Sequence, residues 1–199
     1  MRVRVVVPED APAQVARPER AAAVVKTLTS SAFFSGWGVR TVAIGEARYN
    51  PMSYHNGSVW PHDTALAIAG LIRYADVPGA VDLAHSLARG ILDAATAFAG
   101  RLPELYCGFD RKELDPPVAY PTSCSPQAWA SAAPLLVLRA LLRFEPDVPR
   151  RRLRIAPLLP PSWGDVRLTG IELGDALINV RACATEAEVT GLPQGWRLI

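Results

Sequence analysis

The sequence predicts a mainly α-helical fold of stacked helical hairpins, followed by a small antiparallel β appendage. The segment 61–74 is apolar on nearly every face, which is typical of a buried helix, whereas 79–99 carries one apolar stripe, which is typical of an outer helix. The short turn Asp76–Gly79 between them makes the two helices antiparallel neighbours. From Asp147 onward, apolar and polar residues alternate in runs such as 166–173, which indicates half-buried strands.

Two further helices complete the predicted helical region. Residues 19–29 place apolar side chains at helical spacing. A helix is also expected over 125–144, with Ser125 as its N-cap and Pro126 in its first position. This segment is again almost wholly apolar, so we expect a second buried helix. It should kink at Pro134, because proline lacks the N–H that a helix interior needs.

These elements divide the chain into three predicted parts. Residues 1–18 hold three prolines and no periodicity, so they are expected to form an irregular lead-in. Residues 19–146 form the helical domain, and residues 147–199 form the β-rich appendage. The pair Gly174–Asp175 lies between two alternating runs and predicts a hairpin turn.

Composition excludes several classes of protein. Half of the 199 residues are hydrophobic, which allows a sizeable core, and the formal net charge of +2 is too small to indicate a nucleic acid or a membrane surface as a partner. The three cysteines form no CxxC pair, which favours reduced thiols over a disulfide scaffold or a zinc site. No apolar run is long enough for a signal-peptide core or a transmembrane helix. We therefore expect a soluble cytoplasmic protein.

Two loops carry most of the chemistry of the helical region. The stretch Tyr49–Asp63 contains two tyrosines, a tryptophan, two histidines, two asparagines and an aspartate, and it leads straight into an apolar helix. The stretch 100–124 is a long, proline-rich loop, and a loop of this length in a compact domain is usually functional or disordered. Loops that enter the buried helices of stacked hairpins converge at one end, so we expect a site there. Aromatic faces beside amides and carboxylates suit sugar recognition, although a protein-binding groove uses the same residue types.

Four motifs, in order along the chain, resemble a known family. They are Phe34–Thr41 (FSGWGVRT), Tyr49–Asp63 (YNPMSYHNGSVWPHD), Pro103–Phe109 (PELYCGF) and Tyr120–Ala130 (YPTSCSPQAWA). Together they resemble bacterial amylo-α-1,6-glucosidases, which are glycogen-debranching-type members of the six-hairpin glycosidases and are akin to glucoamylases and mannosylglycerate hydrolases. The resemblance extends over residues 24–196.

The resemblance implies a partial (α/α) six-hairpin toroid, the C-terminal half of that fold, and inverting hydrolysis of an oligosaccharide or α-glucan without a metal or other cofactor. Inverting hydrolysis needs two carboxyl groups, roughly 6.5–9.5 Å apart, one to protonate the leaving oxygen and one to activate water. By the resemblance, Glu104 is the general base. The alternative for this residue is a loop carboxylate that pairs with Arg101 or Arg111.

The resemblance also implies a sugar-binding subsite. Its candidate residues are Trp37, Arg40, His55, Asn56, Trp60 and Asp63. For Asp63 the alternative is a helix-start carboxylate, and for Trp37 and Arg40 the alternatives are core packing and a surface ion pair. Trp129 is expected in the core, and His62 in a structural or surface role.

The predicted helices account for only part of a six-hairpin toroid. The family's acid-bearing motif around an aspartate has no counterpart in this sequence. We therefore expect an incomplete site that needs a separate N-terminal half or self-association. The alternatives are a non-catalytic carbohydrate-binding or assembly subunit and an inactive truncated remnant. Apolar helix faces left without neighbours would favour a partner chain.

Overall fold

The computed structural model describes residues 17–199, and of Pro18 only the backbone, so the predicted lead-in lies almost wholly outside the described residues. Four α-helices are described: α1 (Pro18–Thr29), α2 (Pro61–Arg73), α3 (Ala80–Ala97) and α4 (Ala128–Leu142). The chain divides into two compact units with a boundary inside α4, at residues 137 and 138. We call the described part of the first, residues 17–137, the loop unit, and residues 138–199 the sheet unit. The three-part division predicted above stays a prediction.

The helices of the loop unit bury one stripe each. In α2, Thr64, Ile68 and Leu71 are buried, whereas Leu66 is 57% exposed. The expectation that this helix is buried on nearly every face is therefore wrong. The helix α3 is amphipathic as predicted, since it buries a stripe of Leu83, Leu87, Ile91 and smaller residues. Its polar side chains Asp82, Ser86 and Arg89 are exposed. It packs against α2 and α1, and its place as an outer helix stays a prediction.

The predicted fold class is wrong. The described chain is 33% helical and 19% strand, and it holds two small sheets, so it is not mainly α and not a partial α/α toroid. Within the described residues, the helix pairs in close contact are α2 with α3 and α1 with α3. The reason is that the segments 30–60 and 98–127 form no helical hairpins but run as turns and short extended pieces. No described helix is both long and apolar enough to span a membrane.

The helix α4 differs from its prediction at its start and in its burial. It begins at Ala128, and the Gln127 side chain caps it, since its Oε1 accepts a hydrogen bond from the Ala130 N–H at 3.2 Å. The peptide bond between Ser125 and Pro126 is cis. The prediction that this helix is buried is wrong, because its apolar side chain Leu135 is 69% exposed to solvent. Inside the helix, Pro134 deprives the Ala130 carbonyl of its usual donor.

The sheet unit contains six short strands. They are β1 (Glu145–Asp147), β2 (Arg152–Arg154), β3 (Val166–Leu173), β4 (Ala176–Cys183), β5 (Glu186–Thr190) and β6 (Arg197–Leu198). The strands β3, β4 and β5 form an antiparallel sheet in chain order. The predicted hairpin turn at Gly174–Asp175 is confirmed, because it joins β3 to β4. The other sheet corrects the expected antiparallel appendage, since β2 pairs with β6 in parallel.

The strand β3 is interrupted by a bulge. Its pairing register with β4 shifts between Leu168 and Ile171. The bulge includes Gly170, whose φ of +70° is readily adopted only by glycine. The Gly170 N–H donates to the Asn179 side-chain oxygen at 3.0 Å, so the disrupted ladder is satisfied by a side chain.

The two long segments of the loop unit are joined by an arrangement that we call the bridge ladder. In it, Arg40 pairs with Val59, Val59 with Tyr106, and Tyr106 with Ala119, each antiparallel. The N–H groups of Val59 and Tyr106 donate to each other's carbonyls at 2.9 and 3.0 Å. Because Trp60 follows Val59 and Glu104 precedes Tyr106 by two residues, the ladder brings the two predicted site loops side by side.

Candidate functional site

The two site loops cross where two glycines meet. A Cβ atom added at Gly108 would overlap the carbonyl oxygen of Gly57, which is a backbone atom and cannot turn aside. The Gly108 N–H also donates to the Pro51 carbonyl at 2.8 Å. The absence of a side chain at position 108 therefore lets the loop that carries Glu104 lie directly on the Tyr49–Asp63 loop.

Six rings gather next to this crossing, and we call them the aromatic cluster. They are Tyr54, His55, Trp60, His62, Tyr120 and Trp129. Trp60 lies at the centre, with ring centroids 4.9 Å from Tyr54, 5.7 Å from His55 and 5.9 Å from His62. The cluster thus joins residues of the Tyr49–Asp63 loop to Tyr120 and to the first turn of α4.

Trp60 is fixed in its orientation by the backbone around it. Its Nε1 donates to the Tyr54 carbonyl at 3.1 Å and to the Ser58 Oγ at 3.0 Å. The Ser58 hydroxyl donates to the same Tyr54 carbonyl at 2.7 Å. Trp60 is only 6% exposed. Its N–H is already bonded, so Trp60 forms the floor of the cluster and offers no free donor.

The accessible rings of the cluster are its outer members. Trp129 is 47% exposed, so its predicted place in the core is wrong. It stacks on His62, with centroids 4.3 Å apart and planes inclined by 18°. His55 is exposed, and its ring is nearly parallel to Trp60. These two exposed rings present aromatic surface of the kind that can stack on an apolar ligand face.

Glu104 faces the cluster through Tyr54. The pKa of Tyr54 is raised, first because its hydroxyl hydrogen-bonds with the Glu104 carboxylate, then because of burial and charge repulsion. The Glu104 N–H donates to the Cys124 carbonyl at 2.9 Å, which ties its backbone to the segment before α4. Neither Arg101 nor Arg111 forms an ion pair with Glu104 in the described part of the chain. Arg111 instead pairs with Asp93 at 2.5 Å.

Asp63 lies at another edge of the cluster. It is exposed in the first turn of α2, and its Oδ1 is 3.1 Å from the His62 Nε2. The other ring nitrogen of His62, Nδ1, is buried and lacks a hydrogen-bond partner. Asn56 is half-buried on the same loop, and its carbonyl accepts the Asn50 N–H at 2.7 Å. Whether His55, Asn56 and Asp63 bind sugar stays a prediction.

Trp37 and Arg40, the two remaining predicted sugar ligands, lie outside the aromatic cluster. Trp37 is buried, and the Arg111 guanidinium lies 4.2 Å from the centre of its ring. The Trp37 carbonyl accepts the Tyr106 hydroxyl at 3.0 Å, and burial raises the pKa of Tyr106 far above its usual range. Arg40 is buried beneath the site loops. The sugar contacts predicted for both residues stay predictions.

Sequence reasoning did not single out four members of the cluster: Tyr54, His62, Tyr120 and Trp129. All four lie in or next to motifs that were already recognised, so proximity in sequence was an available signal. The direction in which each ring points could not be predicted from the sequence, because it depends on how the two loops cross at Gly108.

No group of three or more His, Cys, Asp or Glu side chains in the described residues is placed to hold a metal ion. The three cysteines are free thiols, of which Cys107 is buried and Cys124 is exposed. Charge repulsion from Cys124 is one of the smaller causes of the raised pKa of Tyr54.

Comparison with known proteins adds a family relationship to this geometry. Residues 11–106 are similar to a family described as the mannosylglycerate hydrolase MGH1-like glycoside hydrolase domain. The matched range includes the Tyr49–Asp63 loop and Glu104. No curated protein matches the chain. The family match supports a relationship to glycosidases of the six-hairpin type and, with it, a carbohydrate-active hydrolase with a carbohydrate substrate.

Proposed function

We propose that this chain carries the base side of an inverting α-glucosidase site of the glycogen-debranching type. The observation that carries the proposal is that the Val59–Tyr106 backbone pair holds the segment of Glu104 beside the Tyr49–Asp63 loop, whose rings form most of the aromatic cluster. A carboxylate supplies one of the two carboxyl groups that inverting hydrolysis needs, and a partly exposed aromatic surface beside it can stack on a sugar.

In this proposal Glu104 acts on water. A water molecule attacks the anomeric carbon from the face opposite the leaving oxygen, and Glu104 accepts the proton that the water loses. The Tyr54 hydroxyl can donate to one oxygen of the carboxylate, which leaves the other oxygen to orient the water. A second carboxylic acid must protonate the leaving oxygen, and we assign that role to none of the described residues.

The sugar would lie against the outer rings of the cluster. Trp129 and His55 offer exposed faces for the apolar face of a pyranose, while Trp60 holds the floor in place. The Asp63 carboxylate and the Asn56 amide lie on the same loop and are suited to sugar hydroxyls. This assignment places the main stacking contact on Trp129, which is not among the sugar-binding residues that the resemblance implies.

A second candidate function is a non-catalytic carbohydrate-binding or assembly subunit that works with a separate N-terminal half. The exposed apolar side chains Leu66 on α2 and Leu135 on α4 favour it, because such faces often meet a partner chain. The two candidates share the sugar-binding role and differ in turnover.

Calorimetry and a hydrolysis assay on the purified chain test both candidates. With maltooligosaccharides or branched dextrin as titrant, we expect binding that Trp129→Ala weakens about tenfold or more, equivalent to about 1.4 kcal/mol. The matched control is Trp163→Ala, because Trp163 lies in the sheet unit and outside the cluster. Equal binding by wild type and Trp129→Ala would contradict the proposed stacking of the sugar on Trp129.

The hydrolysis assay separates the two functions. Release of β-anomeric sugar that disappears in Glu104→Gln supports the inverting hydrolase with Glu104 as its base. Sugar binding without turnover excludes a self-sufficient hydrolase and is the result expected of a chain that lacks the acid. The absence of any binding by the wild type would overturn both.

A further inference from the structure

Arg40 is an arginine without access to solvent. Its side chain is 0% exposed, and it is the largest of the fully buried side chains in the described residues. Burial of a guanidinium costs free energy unless its N–H groups donate hydrogen bonds. The acceptors of those bonds therefore identify the segments that Arg40 joins.

The acceptors are backbone carbonyls of two different segments. The Nε donates to the Gly108 carbonyl at 2.6 Å, the shortest of the Arg40 bonds. On the other side, Nη1 donates to the Ser31 carbonyl at 2.8 Å. The remaining nitrogen, Nη2, lies 3.6 Å from the Asp110 carboxylate and has no hydrogen-bond partner.

The course of the Arg40 side chain follows from its place in the bridge ladder. The Arg40 backbone pairs with Val59, and Val59 pairs with Tyr106 on its other side. Gly108 lies two residues beyond Tyr106. The side chain of Arg40 therefore extends past the middle segment of the ladder, that of Val59, and bonds the far segment, that of Tyr106. The middle segment leads to Tyr54 in one direction and Trp60 in the other, and the far segment carries Glu104.

We infer that Arg40 is a positioning residue that fixes Glu104 against the Tyr54 loop by holding the Gly108 carbonyl, an inference that rests on the function proposed above. Its guanidinium is buried, so even Nη2, which has no hydrogen-bond partner, does not reach solvent, and the side chain acts through the backbone. Arg40 and the glycine contact have different roles at the crossing. The Gly57–Gly108 contact sets the distance between the loops, and the Arg40 bond to Gly108 sets their relative position along the chain direction.

Lysine cannot replace Arg40 in this role. Its ammonium is a single point of charge on a flexible stem, whereas the planar guanidinium bonds Gly108 and Ser31 at once from fixed directions. Arg40→Lys therefore keeps the positive charge and tests the fork geometry alone.

The test uses the phenol of Tyr54 as a probe of its distance from Glu104, and it needs no sugar. Ultraviolet titration of each protein, minus the same protein with Tyr54→Phe, isolates this one tyrosine. In Arg40→Lys we expect the Tyr54 midpoint to fall toward that of an ordinary tyrosine, about 10. The matched control is Arg154→Lys, at the buried Arg154 of the sheet unit, and we expect no shift there.

Each outcome bears on the inference. A folded Arg40→Lys protein, by circular dichroism, with an unchanged Tyr54 midpoint would overturn it. If Arg40→Lys does not fold, Arg40→Gln is titrated in its place. Failure of both to fold, with Arg154→Lys folded, would also overturn it, since Arg40 would then hold the unit together rather than place one carboxylate.

A binding arm separates this inference from the proposed function. If the wild type binds no maltooligosaccharide, the proposed function fails, while the titration still decides whether Arg40 positions Glu104. If it binds, we expect affinity to fall about tenfold or more in Arg40→Lys and to stay unchanged in Arg154→Lys.

Discussion

The hydrogen bonds inside the loop unit differ in kind from those inside the sheet unit. In the sheet unit, the strands β3, β4 and β5 pair backbone to backbone in register. In the loop unit, the short bridge ladder is supplemented by individual side chains that bond backbone carbonyls, as Arg40 does at Gly108 and Ser58 does at Tyr54. A backbone ladder tolerates many side chains, whereas each loop bond depends on one residue.

The two buried arginines show the same contrast. Arg154 pairs with the Glu145 carboxylate at 3.2 Å, and the two residues are partners in the register of β1 and β2. Arg40 instead bonds backbone carbonyls, one of which, that of Gly108, lies 68 positions away along the chain. Arg154 therefore reinforces the pairing of two neighbouring strands, whereas Arg40 adds a side-chain bond between segments that are distant in sequence. Single substitutions in the loop unit should therefore affect the site more than those in the sheet unit.

The largest expected effect is that of Gly108→Ala. Its new Cβ would overlap the Gly57 carbonyl, so the loops must separate, and we expect the loop unit to lose at least about 4 kcal/mol of unfolding free energy. Urea unfolding followed by circular dichroism measures the loss. A cost below about 1 kcal/mol would show that the crossing gives way easily, and the comparison between the units would fail.

A core truncation in the sheet unit should cost stability without touching the site. Ile178 is fully buried in β4, so Ile178→Ala is expected to lose about 2–5 kcal/mol. The neighbouring Leu177 is exposed, and Leu177→Ala should stay within about 0.5 kcal/mol. In both variants the Tyr54 titration should match the wild type. A shift in Ile178→Ala would mean that the site depends on the sheet core.

The third prediction concerns alkaline pH. Because the pKa of Tyr54 is raised in the folded state, its contribution to stability is complete below about pH 10 and is lost as pH rises through the folded pKa. Glu104→Gln removes the main cause, so its melting temperature should fall less than that of the wild type above pH 10. Glu113→Gln, at an exposed loop position, is the control and should behave as the wild type.

The smallest expected effect is a gain. Gly70 lies inside α2 with open space around its Cβ position, so Gly70→Ala should stabilise by about 0.5–1 kcal/mol. Gly100 also has open space, but its φ is +80°, so Gly100→Ala should destabilise. Thermal unfolding of Gly70→Ala and Gly100→Ala measures the expected rise and the expected fall in melting temperature. Destabilisation by Gly70→Ala would show that α2 needs flexibility that its packing does not reveal.

The elements of this fold that could be predicted from sequence are those that depend on local pattern. The helix expected over 61–74 is α2, and the alternating run 166–173 is β3. Which helix faces are covered could not be predicted, because an apolar residue such as Leu66 stays exposed when no neighbour packs on it. The toroid failed for the same reason: it requires helix contacts that the long loops of this chain do not provide.

For the site, the sequence indicated the loops but not their relation. Glu104 and Trp60 were both singled out, and the structure brings Glu104 to the cluster that surrounds Trp60. Arg40 was expected in the pocket or at the surface, and its burial could not be foreseen, because it depends on a carbonyl 68 positions away along the chain. Such long-range pairings leave no periodic signal in a single sequence.

The interruption of β3 has a consequence for how this protein behaves when concentrated. The sheet of β3, β4 and β5 ends in β3 on one side and in the short strand β5 on the other. The first edge is broken by the bulge at Gly170, and the second exposes the charged side chains of Glu186 and Glu188. Neither edge offers a strand of another molecule a long, flat row of free backbone groups, so edge-to-edge aggregation through this sheet is disfavoured.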